Sequence, residues 1–249
     1  MLDFKMNKAE VLMAKLNIEQ FKYESIHGKV KEINQKIMKL MALNFPVVDL
    51  NQGIYYRARV IKDTDGEDTG IIRKCGAPIT GYNIAYSGVP PAEYITENGR
   101  VNHIGEQVLY LAEDEETSCK ENKAENNQYL SVAECQIESN IKIADFAITI
   151  SSGLKYAFSQ DMIMQFRSEY GIDIRGMYIL ICNFLTNPNY KAKEIDYAFS
   201  LAFLDLIKSQ KDISGVKYRS YFTGKTNIAL WDENKFLECK NSKVVKSFQ

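Results

Sequence analysis

The sequence predicts an α+β protein, with a core of mixed short strands and an N-terminal helical extension. Three observations predict it. Apolar residues recur at helical spacing near the start, at Val30, Ile33, Ile37 and Leu40 or Met41, and again at Ile195, Phe199, Ala202, Phe203 and Leu206. Between these lie short runs rich in β-branched and aromatic residues, such as Ile54 to Ile61 and Asn227 to Trp231. The joining segments are irregular and rich in glycine and proline, and no repeat recurs along the chain. With 45% hydrophobic and 25% charged residues, the 249-residue chain can bury a sizeable core.

The elements follow in order. Residues 1 to about 44 are expected to be helical and to stop before Pro46, whose ring cannot continue a helix. We read residues 1–50 as a helical extension packed on a second domain over 51–249. A dimerisation or partner-binding arm, and with it a homo-oligomer, is the other reading of the extension. Ile54 to Ile61 is expected as a strand, and the polar stretch at 63–70 as a turn. Residues 75–105 carry eight glycines and prolines, among them Gly76, Pro78, Gly99 and Gly105. Such dense punctuation argues for a long irregular loop with short extended pieces, and loops of that length are often functional. Val108 to Ala112 is a short strand, and Asp114 is placed to cap a helix running through Glu121. Residues 128–134 and 141–150 are expected as strands. Tyr178 to Phe184 is a buried strand or a helix end. Residues 195–210 form a helix, and two late strands, Gly215 to Ser220 and Asn227 to Trp231, are separated by Gly224.

Composition narrows the function. The net charge of −1 creates no global field for nucleic acid or an anionic membrane, so neither is expected as a direct partner. No apolar stretch of about 18 residues appears, and residues 1–20 lack a signal-peptide core and cleavage site, so a cytoplasmic location is expected. The five cysteines are odd in number and widely spaced, without a C-x-x-C pair, and are expected to be free thiols. With only His27 and His103, no His/Cys metal site is expected.

Three segments carry chemistry-bearing side chains. Arg57 and Arg59 stand at alternate positions of one strand, so they share a face. Two cations on one face need anions, either a phosphate or internal carboxylates. The segment 98–105 holds Arg100, Asn102 and His103 between glycines, a loop that can approach an anion closely or simply turn a hairpin. It is neither a dinucleotide-binding fingerprint nor a P-loop. Residues 109–121 put Tyr110 at a strand end, with Thr117 and Glu121 one helical turn apart on one face. The carboxylates from Glu113 to Glu116 suit an ordinary helix start.

Taken together these segments resemble the RES-domain family, named for its Arg, Glu and Ser. The resemblance rests on Tyr56-Arg57-Ala58-Arg59, on Gly76-Ala77-Pro78, and above all on Gly99-Arg100-Val101-Asn102-His103-Ile104-Gly105 followed by Leu109-Tyr110-Leu111-Ala112, Thr117 and Glu121. Further on, Tyr197-Ala198-Phe199-Ser200 is similar to a helix start of the family, although Leu201 stands where a Gln is usual. Gly215 to Ser220 with Asn227 resembles its closing pattern. Either Ser200 or Ser220 matches the serine of the name. The likeness covers about residues 53–235.

The resemblance implies an ADP-ribosyltransferase-like fold that cleaves NAD between nicotinamide and ribose, as in toxins held in check by an antitoxin protein covering the active site. It implies Glu121, Arg57 and Tyr110 as the catalytic group. Glu121 stabilises the positive charge that grows on the ribose. Arg57, assisted by Arg100, meets the pyrophosphate, and Tyr110 stacks on nicotinamide. Arg59, Asn102, Tyr197, Ser200, Ser220 and Asn227 are the remaining candidates for binding NAD, with no metal required. The expectation is that Arg57, Tyr110 and Glu121 surround one hollow. A protein ADP-ribosyltransferase is the second reading, and a non-catalytic nucleotide- or partner-binding module, suggested by Leu201, is the third.

Overall fold

The computed structural model describes residues 41–147, 159–170, 194–231 and 239–247, with isolated positions at 39, 174–175, 178, 182 and 185–186. Most of the expected N-terminal helix, and residues 148–150 of an expected strand, lie outside the described residues. The class is α+β, as the sequence predicts. An eight-stranded sheet runs in the order β1-β7-β8-β9-β5-β2-β6-β10. Its strands are β1 (Val47–Leu50), β2 (Gly53–Val60), β5 (Leu109–Ala112), β6 (Tyr129–Ile137), β7 (Ile141–Asp145), β8 (Gly215–Arg219), β9 (Thr226–Leu230) and β10 (Cys239–Lys246). A separate hairpin is made by β3 (Arg73–Lys74) and β4 (Ala77–Pro78). Helices whose bounds fall within the described residues include α1 (Ile84–Ser87), α2 (Glu115–Glu121), α3 (Gln160–Tyr170) and α4 (Glu194–Lys208).

The chain divides into two compact units, 1–46 with 145–210, and 47–144 with 211–249. This differs from the expected boundary after residue 50. Val47–Leu50 is a sheet strand paired antiparallel with β7, so it belongs with the strands. Phe45, in contrast, packs on Phe146, Tyr178 and Phe203, with ring centroids 4.2, 5.0 and 5.5 Å away. That aromatic cluster joins the end of the first segment to residues beyond 145 in one core. Tyr178 and Cys182 are helical, which decides the open reading of that segment. Leu201, the departure from the family pattern, is 1% exposed on α4, where an apolar side chain suits a core position.

In the sheet unit, β2 pairs antiparallel with β6 along its whole length, from Gly53 opposite Ile137 to Val60 opposite Leu130. It meets β5 at one register pair, Tyr56 opposite Ala112. Strand alternation then sorts the side chains onto two faces. One face holds Leu109, Leu111, Ala133, Cys135, Ile137, Ile228 and Leu230, all at most 4% exposed, in one apolar cluster. The other holds Ala58, Leu130 and Val132, with Tyr56 and Val60 packed against them. Ala124, just past α2, completes that second cluster, and Asn122 Nδ2 donates to the Ala58 carbonyl at 3.0 Å. So α2 lies over the second face.

The cysteines correct the expectation of five free thiols. The antiparallel register of β10 on β6 puts Cys239 opposite Cys135, and the two form a disulfide. Nothing in the spacing of 104 residues signals this, because the pairing is made by the sheet. Cys75, Cys119 and Cys182 remain free. Among the described residues no helix is long and apolar enough to cross a membrane.

Candidate functional site

The candidate site lies on the α2 face of the sheet. Glu121 ends α2, whose start is held by Asp114 as the sequence suggests. The Asp114 side chain accepts from Thr117 N at 2.9 Å and from Thr117 Oγ1 at 2.9 Å. Such a cap satisfies donors that a helix start leaves open. Burial alone raises the Asp114 carboxyl; the Thr117 hydrogen bonds and Lys225 outweigh it and hold the group below its ordinary value. The helix brings Glu121 to β9, where Asn227 Nδ2 donates to Glu121 Oε1 at 2.8 Å. Arg100 reaches the other carboxylate oxygen, with Nη1 3.8 Å from Oε2, and both side chains are mostly buried. The Arg100 guanidinium also stands 6.0 Å from the centre of the Tyr218 ring, at the edge of cation–π range.

Register places the rest of the cluster. Asn227 is opposite both Ala112 on β5 and Tyr218 on β8. Tyr110, two residues before Ala112, points to the same face. Its hydroxyl donates to Asn102 Oδ1 at 2.8 Å and accepts from Val101 N at 3.1 Å. Asn102 is 6% exposed, and its amide donates to the His103 carbonyl at 2.9 Å. Tyr110 therefore pins the loop that carries Arg100, and the loop returns Arg100 to Glu121. The structure thus brings together Arg100, Asn102, Tyr110, Glu121 and Asn227.

Arg57 and Arg59 do not join them, which corrects the expectation of one shared hollow with Tyr110 and Glu121. Tyr56 lies on the α2 face, opposite Ala112, so its neighbour Arg57 points to the other face. The register agrees, since Arg57 is opposite Ala133 of the first apolar cluster. There Arg57 Nη1 donates to the carbonyls of Gly88 and, at 3.5 Å, Ser87. Arg59 donates to the Tyr86 carbonyl and stands 5.0 Å from the centre of the Tyr82 ring. Both arginines thus serve carbonyls at the end of α1. Burial, with Arg59 beside it, lowers the Arg57 guanidinium to about 9, and it remains a cation at neutral pH.

Ser220 is 2% exposed and closes the turn between β8 and β9, its Oγ accepting from Phe222 N at 3.2 Å and Thr223 N at 3.4 Å. Tyr197 and Ser200 lie on α4 in the other unit, and their side chains are outside the described residues. Sequence reasoning missed Tyr218 as a site residue. Its signal was alternation, since it follows Val216 by two residues in a strand that faces Asn227. It also missed Thr223, whose hydroxyl meets that of Thr117 at 2.9 Å across 106 residues of chain. Burial pushes the Cys119 thiol up to about 11 and Cys182 to about 12, so neither of these two is a ready nucleophile. Among the described residues no group of His, Cys, Asp and Glu could hold a metal ion.

The family model for the RES domain matches residues 76–247, well over half of the chain. It takes in Arg100, Asn102, Tyr110, Glu121, Ser220 and Asn227, and begins after Arg57 and Arg59. No curated protein matches the sequence. Among solved structures, the chain is similar to one in the crystal structure of the M. tuberculosis MbcT–MbcA toxin–antitoxin complex. The identity is 11%, with 84% of this chain and 91% of that one covered, at a TM-score of 0.42.

Proposed function

Because this chain belongs to the RES-domain family, we propose that it consumes NAD by cleaving the bond between nicotinamide and ribose. One observation carries the reading. A carboxylate, Glu121, accepts from Asn227 at one oxygen and faces the Arg100 guanidinium with the other, on the family's own motif. Breaking a C–N glycosidic bond develops positive charge on the sugar, and a fixed carboxylate beside that carbon lowers the barrier. The electron pair of the broken bond leaves with nicotinamide, which becomes neutral. The oxygen of water or phosphate bonds to the ribose carbon and loses its proton to Glu121 or to solvent.

In this reading Arg100, already at the carboxylate, supplies the guanidinium for a substrate phosphate, and Asn227 holds Glu121 in place. Tyr110 offers its ring to nicotinamide while its hydroxyl orders the 99–105 loop. Arg57 and Arg59 act at a distance, by holding the end of α1 and the segment that follows it. The family fold is ADP-ribosyltransferase-like, and an antitoxin covering the site is the partner the resemblance implies.

The test is incubation of the purified protein with NAD, with and without phosphate, following free nicotinamide. Loss of NAD is expected without any protein acceptor, and a phosphorylated ADP-ribose product would identify phosphorolysis. Glu121→Gln should keep the fold, because the amide oxygen still accepts from Asn227, and lower turnover by a factor of about 100 or more. Undiminished turnover in that variant would reject Glu121 as catalytic. Label retained on a protein, with little free product, would favour ADP-ribosyl transfer instead.

A further inference from the structure

The turn between β8 and β9 displays two aromatic rings to water. Tyr221 is 55% and Phe222 37% exposed, and their ring centroids are 5.7 Å apart at 88°. Among the described residues, neither ring belongs to the apolar clusters of the sheet. An ordinary solvated turn favours glycine, asparagine or serine here, so adjacent exposed Tyr and Phe call for another account.

The turn is also held firmly. Ser220 Oγ accepts from two of its amides, Ser220 N donates to the Lys225 carbonyl at 2.7 Å, and Gly224 takes the positive φ of 70°. Its far side is docked on the start of α2. The hydroxyls of Thr223 and Thr117 meet at 2.9 Å, and Lys225 Nζ lies 3.4 Å from Asp114 Oδ2. Thr117 is one helical turn from Glu121, about 6 Å along the axis. The strands that enter and leave the turn carry Tyr218 and Asn227, which flank Arg100 and Glu121. The two rings therefore project from a backbone held in place, on the turn that joins Tyr218 and Asn227 of the site.

We propose that Tyr221 and Phe222 form a stacking ledge for a planar heteroaromatic ring of the dinucleotide substrate. The inference rests on the NAD-cleaving reading above and adds a specificity element to it. A rigid aromatic surface gains stacking energy without first having to order itself, and it accepts any base by its π face.

The experiment compares wild type, the double variant Tyr221→Ala/Phe222→Ala and the conservative pair Tyr221→Phe/Phe222→Tyr, with NAD and with nicotinamide mononucleotide as substrates. The double alanine variant should raise KM for NAD about tenfold with a smaller change in kcat, and the conservative pair should restore it. If KM for the mononucleotide stays unchanged, the ledge takes the adenine. If it rises equally, the ledge takes the nicotinamide and the Tyr110 ring does not. An unchanged KM for NAD in a folded alanine variant, with wild type active, overturns the ledge and leaves the enzyme reading standing. Wild-type protein that leaves NAD intact overturns both. Circular dichroism and melting temperature establish that each variant is folded.

Discussion

Gly99 governs the contact between Tyr110 and Asn102. A Cβ added there would collide with Asn102 Oδ1 and stand 2.9 Å from the Tyr110 hydroxyl. Gly99 N also donates to the Asn102 carbonyl at 2.9 Å, so the loop cannot simply swing away. The residue is glycine because a buried amide and a phenol close over it. Gly99→Ala should separate Tyr110 from Asn102 and displace Arg100 from Glu121. The expected outcome is a loss of NAD turnover of about tenfold with the sheet intact, measured by nicotinamide release beside circular dichroism. Wild-type turnover in this variant would remove the loop from the site. The motif marked this glycine in the sequence, but the reason for it needed Tyr110 and Asn102 in space.

At the scale of elements, α2 is the helix that carries the site, and its start is the sensitive point. Asp114 caps Thr117 and faces Lys225, and these contacts hold its carboxyl below the ordinary value against the opposing effect of burial. A carboxyl lowered in the folded state stabilises it above the unfolded value, here 3.8, and that stabilisation is lost as pH falls through the folded value. Asp114→Ala should cost about 1 kcal/mol near neutral pH, in the range usual for a helix cap. The gap from wild type should shrink below about pH 4 as the carboxyl takes up its proton. Denaturant melts at pH 7 and pH 3 check this, and a gap independent of pH would discount the charge. A second element-scale feature is the pair Arg57 and Arg59. Their alternation was legible in the sequence and their shared face follows from it. What they face, the carbonyls of Tyr86, Ser87 and Gly88, was not.

At the scale of the whole molecule, the edge strand β10 is tied to the sheet both by register and by the Cys135–Cys239 bond. That bond closes a loop of 104 residues containing α3, α4, β7, β8 and β9. Closing so long a loop restricts the unfolded chain, an effect of about 2–5 kcal/mol. Reduction, or the pair Cys135→Ser/Cys239→Ser, should lower the melting temperature by roughly 5–15 °C for a chain of this size. The check is calorimetry with and without reductant, and an unaltered transition in the reduced protein would show that sheet pairing alone holds the strand.

The sequence by itself determined the α+β class, the strands at β2, β5, β8 and β9, the Asp114 cap with its helix, and the motif that places the chain in its family. Those follow from local rules, namely periodicity, capping and glycine at tight contacts, which act over a few residues. Tertiary structure alone decided that Arg57 and Arg59 leave the group of Glu121, that Arg100 and Asn227 hold the carboxylate, that Tyr218 lies beneath Arg100, and that two distant cysteines meet. Each depends on which strand lies beside which and in what register. A strand shifted by one residue would reverse every face, and that choice is made by the burial of a whole sheet rather than by any segment of the chain.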